Sequence, residues 1–142
     1  RERMADDFYR IAAVEGAQGA IDVLGRSFEA VRIAPGVIWF EFNALCKGPR
    51  SQNDYLELAR EYHTILVSGV PRMAAGQSNE ARRFTWLIDV LYDHRVKLIM
   101  SAEAEAHDLY REGHNANEFV RTVSRLMEMR TRDYLAEAHR SE

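Results

Sequence analysis

Arg121 and Arg125 are the residues of this sequence best suited to chemistry. They fall in the stretch Glu118-Phe119-Val120-Arg121-Thr122-Val123-Ser124-Arg125. Spacing of i, i+4 puts both guanidinium groups on one face of a helix. Guanidinium is planar, permanently charged and matched to phosphate oxygens. Supplied across a subunit interface, it steadies the charge on a transferring phosphoryl group. The alternative is ordinary pairing on the helix surface with Glu118 and Glu128. Arg82, Asp89 and Asp93 form a polar stripe on a second helix, with Trp86 beside it. A tryptophan beside such a stripe fits contact with another domain or subunit, or packing under a neighbouring loop.

Other chemistries find less support. His107 and His114 lie near Glu103, Glu105 and Asp108, but no standard zinc spacing appears. A solvated polar turn is expected there, and no metal site. Cys46 and His63 are the types of a thiol nucleophile and its base. Nothing in the sequence orients them, so Cys46 reads as a structural cysteine. A phosphate loop needs G-x-x-x-x-G-K-[ST], because backbone amides cradle the phosphates and the lysine reaches them. The only lysines, Lys47 and Lys97, do not follow a glycine. G-x-G-x-x-G and G-x-S-x-G are also absent.

The 142 residues suit one domain with one core. With 46% hydrophobic and 29% charged residues, the chain reads as globular rather than disordered or fibrous. No apolar run approaches the roughly 20 residues of a membrane helix. A net charge of −3 gives no global attraction to nucleic acid, and none is expected as a partner. One cysteine allows no intrachain disulfide and fits a reducing compartment. The chain begins with Arg1 inside helical sequence and reads as part of a longer protein.

These residues must be positioned by an α/β fold. Met4, Phe8, Ile11 and Ala12 mark a helix over residues 2–15, followed by a loop to Gly19. Ala20–Leu24, Ser27–Ala34 and Val37–Phe42 read as strands, with Pro35-Gly36 as a hairpin turn. Ser51 and Asp54 form a capping pair before a helix with Tyr55, Leu58, Ala59 and Tyr62 on one face. Thr64–Val70 and Val96–Met100 read as strands covered on both faces. Asn79–His94 is a helix burying Phe84, Leu87, Ile88, Leu91 and Tyr92. Asn117–Met129 is a helix with Phe119, Val120, Val123, Leu126 and Met127 inward, and Arg132–His139 is a last short helix. Strand–helix alternation from Val37 predicts a small, mainly parallel, mixed sheet flanked by helices, with an N-terminal antiparallel hairpin. Within the single domain 1–142, residues 1–19 form a helix and loop, 20–42 the hairpin region and 43–142 the α/β core. The core resembles the middle of a P-loop fold, yet the acid positions fall near Ser68 and Gly69, which cannot replace a carboxylate on Mg²⁺.

Four stretches carry a more specific resemblance: Trp39-Phe40-Glu41-Phe42 through Leu45-Cys46; Arg50-Ser51-Gln52-Asn53-Asp54-Tyr55 through His63-Thr64; Val70-Pro71 with Glu80-Ala81-Arg82-Arg83-Phe84, Asp89, Tyr92, Val96-Lys97-Leu98 and Ser101-Ala102; and Glu118-Phe119, Arg121-Thr122, Ser124-Arg125-Leu126, Glu128-Met129 and Tyr134-Leu135. Over about residues 21–139 the chain resembles the C-terminal part of the ZapE-type cell-division ATPases, of the Afg-like, AAA-type P-loop family. The resemblance implies a cytoplasmic ATPase, peripheral at the inner membrane, that acts with the FtsZ division ring. ATP and Mg²⁺ are the cofactors it implies for the full-length protein, with none bound tightly by this chain. The missing N-terminal ATPase half and further copies of the protein are the other partners expected. Arg82, Arg83, Arg121 and Arg125 match the family's arginine-bearing motifs. Two roles follow for this part: assembly and nucleotide sensing through Arg121 and Arg125, or non-catalytic docking of a division-ring or membrane protein through Arg82, Arg83, Trp86 and Asp89.

Overall fold

The computed structural model describes residues 2–142. Helix α1 (Glu2–Ala12) precedes strands β1 (Ala17–Val23), β2 (Arg26–Ala34) and β3 (Val37–Glu41). Helices α2 (Phe42–Cys46) and α3 (Gln52–Glu61) lead to β4 (Thr64–Val70), and α4 (Ser78–Asp93) leads to β5 (Lys97–Ala102). Helices α5 (Phe119–Glu128) and α6 (Arg132–Ala136) close the chain. One sheet runs β1-β2-β3-β4-β5. β1–β2 and β2–β3 are antiparallel, while β3–β4 and β4–β5 are parallel. The expected mixed α/β sheet with its N-terminal hairpin is the fold of this chain.

Side-chain alternation divides the sheet between two cores. Ile38, Phe40, Ile65 and Val67 face Leu58 of α3, Phe84, Leu87, Ile88 and Leu91 of α4, and Phe119 and Leu126 of α5. The intervening Val37, Trp39 and Leu66 turn to the other face, where α1 covers them with Met4 and Phe8. At the β2–β3 turn Gly36 has φ +75°, and a Cβ there would come within 2.6 Å of the His63 ring. Both constraints reserve the position for glycine.

The elements differ from expectation in informative ways. β1 begins at Ala17, inside the expected loop, because the hairpin ladder extends to Ala17 opposite Ile33. The short α2 lies at the end of the expected third strand and turns Phe42, Leu45 and Cys46 into the core. β5 is an edge strand and only half-buried over Lys97–Met100, not covered on both faces. Ile11, Val120 and Met127 are expected to point inward but are exposed. Apolar periodicity reports a helix face, not whether neighbouring elements are wide enough to cover it.

The Ser51–Asp54 capping pair forms as expected. Ser51 Oγ accepts from the Asp54 N–H and Asp54 Oδ2 accepts from the Ser51 N–H. Fully buried Asp54 also accepts two bonds from Arg26 at 2.9 and 3.1 Å, which ties α3 to β2. Replacing Asp54 with Ala removes the cap and leaves Arg26 unpaired. The expected loss is about 3 kcal/mol of unfolding free energy in urea titration, with an unchanged circular-dichroism spectrum below the transition.

Candidate functional site

The α4–α5 pair brings most of the candidate residues together. Phe84 of α4 stacks on Phe119 of α5 with ring centroids 6.2 Å apart. One turn on, the Thr122 hydroxyl donates to Thr85 Oγ1 at 3.1 Å. These contacts set the helices side by side and deliver Asp89 of α4 to both arginines of α5. Arg121 reaches Asp89 Oδ2 at 3.1 Å, and Arg125 donates to Asp89 Oδ1. Neither arginine takes Glu118 or Glu128, the surface partners open to it in the sequence. Glu128 instead accepts the Tyr92 hydroxyl at 2.7 Å. That bond, with burial a smaller cause, raises the tyrosine's pKa.

The four arginines separate by environment. Arg125 is half-buried and lies 5.0 Å over the Tyr92 ring, so it holds α5 to α4. Arg83 donates to the Cys46 carbonyl at 3.1 Å and ties α4 to α2. Arg121 keeps 64% of its side chain exposed although it reaches Asp89. Arg82 is exposed, donates to Asn79 Oδ1 at 3.2 Å, and lies 5.5 Å from the Trp86 ring. Arg82 and Arg121 are thus the two cations whose charge stays accessible. They line one cleft of about 250 Å³ with Trp86, Asp89, Tyr110 and His114. Two guanidiniums share one carboxylate at Asp89 and Glu118 adds a second carboxylate to the lining, so the cationic points of the cleft are Arg82 and Arg121 themselves. Such a cleft suits an anionic group carrying an apolar or planar portion.

Other sequence candidates fall apart in space. Cys46 is fully buried in the main core. Burial pushes its thiol up to about 12, against the smaller opposing effect of its bond with Tyr55. His63 is exposed beyond the end of α3, shares a 2.8 Å hydrogen bond with Thr64 Oγ1, and has a lowered pKa through burial and then the nearby His139 and Lys97. A thiol held protonated in an apolar core is no nucleophile. His107 pairs with Asp108 at 3.4 Å while His114 stands in the cleft. Among the described residues no grouping of three or more His, Cys, Asp and Glu is arranged to hold a metal ion.

At the carboxyl ends of the parallel strands lies an arrangement that the sequence reading missed. The Trp39 indole N–H donates to Ser68 Oγ at 2.9 Å, and Ser68 donates to Glu41 Oε2 at 2.7 Å. Glu41 ends β3 opposite Ser68 of β4. The strand end at Glu41 was the available signal, but its pairing across 27 residues was not. A single carboxylate already engaged by a serine, with no phosphate loop beside it, does not fit a Mg²⁺–ATP site.

A family model described as "AFG1-like ATPase" matches residues 1–138. The chain belongs to this family. It is 42% identical over 98 residues to "Cell division protein ZapE" of Escherichia coli (strain K12), covering 69% of this chain and 26% of that protein. It is 38% identical over 93 residues to an uncharacterised protein of Schizosaccharomyces pombe, covering 66% and 20%. It is 31% identical over 154 residues to "Lactation elevated protein 1 homolog B" of Danio rerio, covering 86% and 31%. The matched region is therefore between a fifth and a third of each relative's length. No solved structure matches the chain. No helix among the described residues is long and apolar enough to cross a membrane.

Two outcomes test this geometry. Asp89→Ala leaves the half-buried Arg125 without its carboxylate and should cost about 2 kcal/mol in chemical denaturation, more than Arg121→Ala, which removes an exposed cation and should cost well under 1 kcal/mol. The raised Cys46 pKa has a definite sign. Above the ordinary thiol value of 9.0 the unfolded chain releases a proton that the folded chain keeps until about 12. The unfolded state then binds fewer protons, so stability falls as pH rises through that window. Cys46→Ala should flatten this slope in denaturation curves recorded across it.

Proposed function

We propose that this chain is the assembly and nucleotide-sensing part of an AFG1-like ATPase linked to cell division, and that it works through the α4–α5 cleft. ATP and Mg²⁺ would be bound, and ATP hydrolysed, by the longer protein outside these residues. Residue chemistry supports that division, because the sequence has no phosphate loop and the described residues include no grouping of three or more His, Cys, Asp and Glu arranged to hold a metal ion. The single observation that carries the reading is the pair of accessible cations, Arg82 and Arg121, on one cleft, while Arg83 and Arg125 are committed to internal ties. In an assembled ATPase such cations would meet phosphate or a carboxylate of the adjoining ATPase domain, in the same subunit or across a ring. The ZapE likeness supports a division-ring protein such as FtsZ as the client, and a cytoplasmic site of action with peripheral attachment at the inner membrane.

Docking is the second reading, favoured by Trp86. It is only part-buried against the core and carries Arg82 over its ring, an aromatic–guanidinium pair of the kind that anchors protein interfaces. In the full-length protein, Arg82→Ala and Arg121→Ala together should lower ATP turnover at least about tenfold, with the melting temperature unchanged. Unchanged turnover sinks the sensing role. Trp86→Ala should weaken capture of a division-ring partner at constant turnover if the cleft docks that protein instead.

A further inference from the structure

The second surface of interest is the free edge of β5, on the side of α5 away from the cleft. Lys97 and Glu103 donate their N–H groups to His63 and Val70 at 2.8 and 2.9 Å, toward β4. The alternate residues Leu98, Met100 and Ala102 therefore turn their N–H and C=O groups outward. No backbone group among the described residues bonds to them from that side. An uncovered edge of this kind is a template for another strand. Beside it runs a groove of about 480 Å³, lined by Leu98, Met100, Leu126, Met127 and Met129. Met127 is 52% exposed and Val120, two turns earlier on the same flank of α5, is 68% exposed. Their periodicity marks them for burial, yet none of the described residues buries them.

Charge at the two ends of the groove indicates the occupant. Arg130 lies between α5 and α6, near the start of β5, where the α6 residue Tyr134 holds the Val96 carbonyl at 2.6 Å. Glu105 follows the end of β5. Among the described residues neither is in an ion pair, and the Arg130 guanidinium meets only the Met127 sulfur at 3.9 Å. The edge is thus positive at its start and negative at its end.

We propose that β5 is a self-association edge, which pairs antiparallel with β5 of a second copy about a twofold axis at Met100. Antiparallel pairing sets the start of one strand against the end of the other. Leu98 exchanges both backbone bonds with the partner's Ala102, and Met100 does so with the partner's Met100. The same operation brings Arg130 beside the partner's Glu105, and Glu105 beside the partner's Arg130. It also lays Val120 and Met127 of each α5 toward the dyad, where the apolar flanks cover one another. An isologous contact requires a surface complementary to itself, and a strand edge with opposite charges at its two ends meets that requirement. The inference is independent of the α4–α5 cleft.

Analytical ultracentrifugation of the 142-residue chain across the micromolar range tests it, with hydrogen exchange at the Leu98, Met100 and Ala102 amides. Wild type should form a dimer, with those amides more protected as concentration rises. Arg130→Glu and Glu105→Arg, both solvent-exposed substitutions, should each raise the dissociation constant roughly tenfold or more, since each acts twice in the dimer. The double charge swap should return it to within about threefold of wild type. A chain that stays monomeric, a dimer indifferent to both single substitutions, or a failure of the double swap to restore association overturns the proposal.

Discussion

Parallel strands need cover on both faces, and the architecture of this chain follows from meeting that need for β3 and β4, with β5 left half-covered at the sheet edge. Each strand sends alternate side chains to opposite sides. Ile38, Phe40, Ile65 and Val67 require a broad layer, which α3, α4 and α5 supply. Val37, Trp39 and Leu66 require a second layer, which α1 supplies with Met4 and Phe8. Because α4 and α5 must both reach the first face, they lie side by side. That forced adjacency creates the candidate site, since it puts Asp89 within reach of Arg121 and Arg125.

The electrostatics of the site follow from unequal burial. Arg125 and Asp89 are part-shielded, so their attraction is stronger than that of an exposed pair and holds the helices in register. Arg121 adds to the same carboxylate from solvent, where screening leaves its charge largely available. Arg82 rests against indole instead of carboxylate, which keeps its full charge and limits its motion. A single helix pair thus contains fixed arginines that maintain shape and accessible arginines suited to contact with another molecule.

Much of the fold was legible along the chain. The Ser51–Asp54 cap, the Pro35-Gly36 turn and the apolar face of α4 are local patterns, and their physics acts over a few residues. Cys46 was legible as a structural cysteine because nothing in the sequence orients His63 toward it, but its complete burial was set by the fold. Harder to read were the start of β1, set by a ladder to residue 33, and the half-burial of β5, set by its place at the sheet edge. Candidate residues were likewise found by type but not by role. Arg82, Arg121, Trp86 and Asp89 were each named, and the structure gathers them, while Arg83 and Arg125 are committed to internal ties. Glu41 was missed as a polar centre because Ser68, its partner, lies a whole helix–strand unit away.

By itself the sequence determined the strand and helix order, the lack of a phosphate loop, and membership of the AFG1-like ATPase family, because those rest on local residue patterns. Only the tertiary structure decided which charges are neutralised and which stay accessible. Ion pairing depends on distances of a few ångströms between residues far apart in the chain. Asp89 stands 32 residues from Arg121 and 36 from Arg125, and no pattern within either helix specifies that meeting. The packing of α4 against α5 does so, and the same packing leaves Val120 and Met127 uncovered.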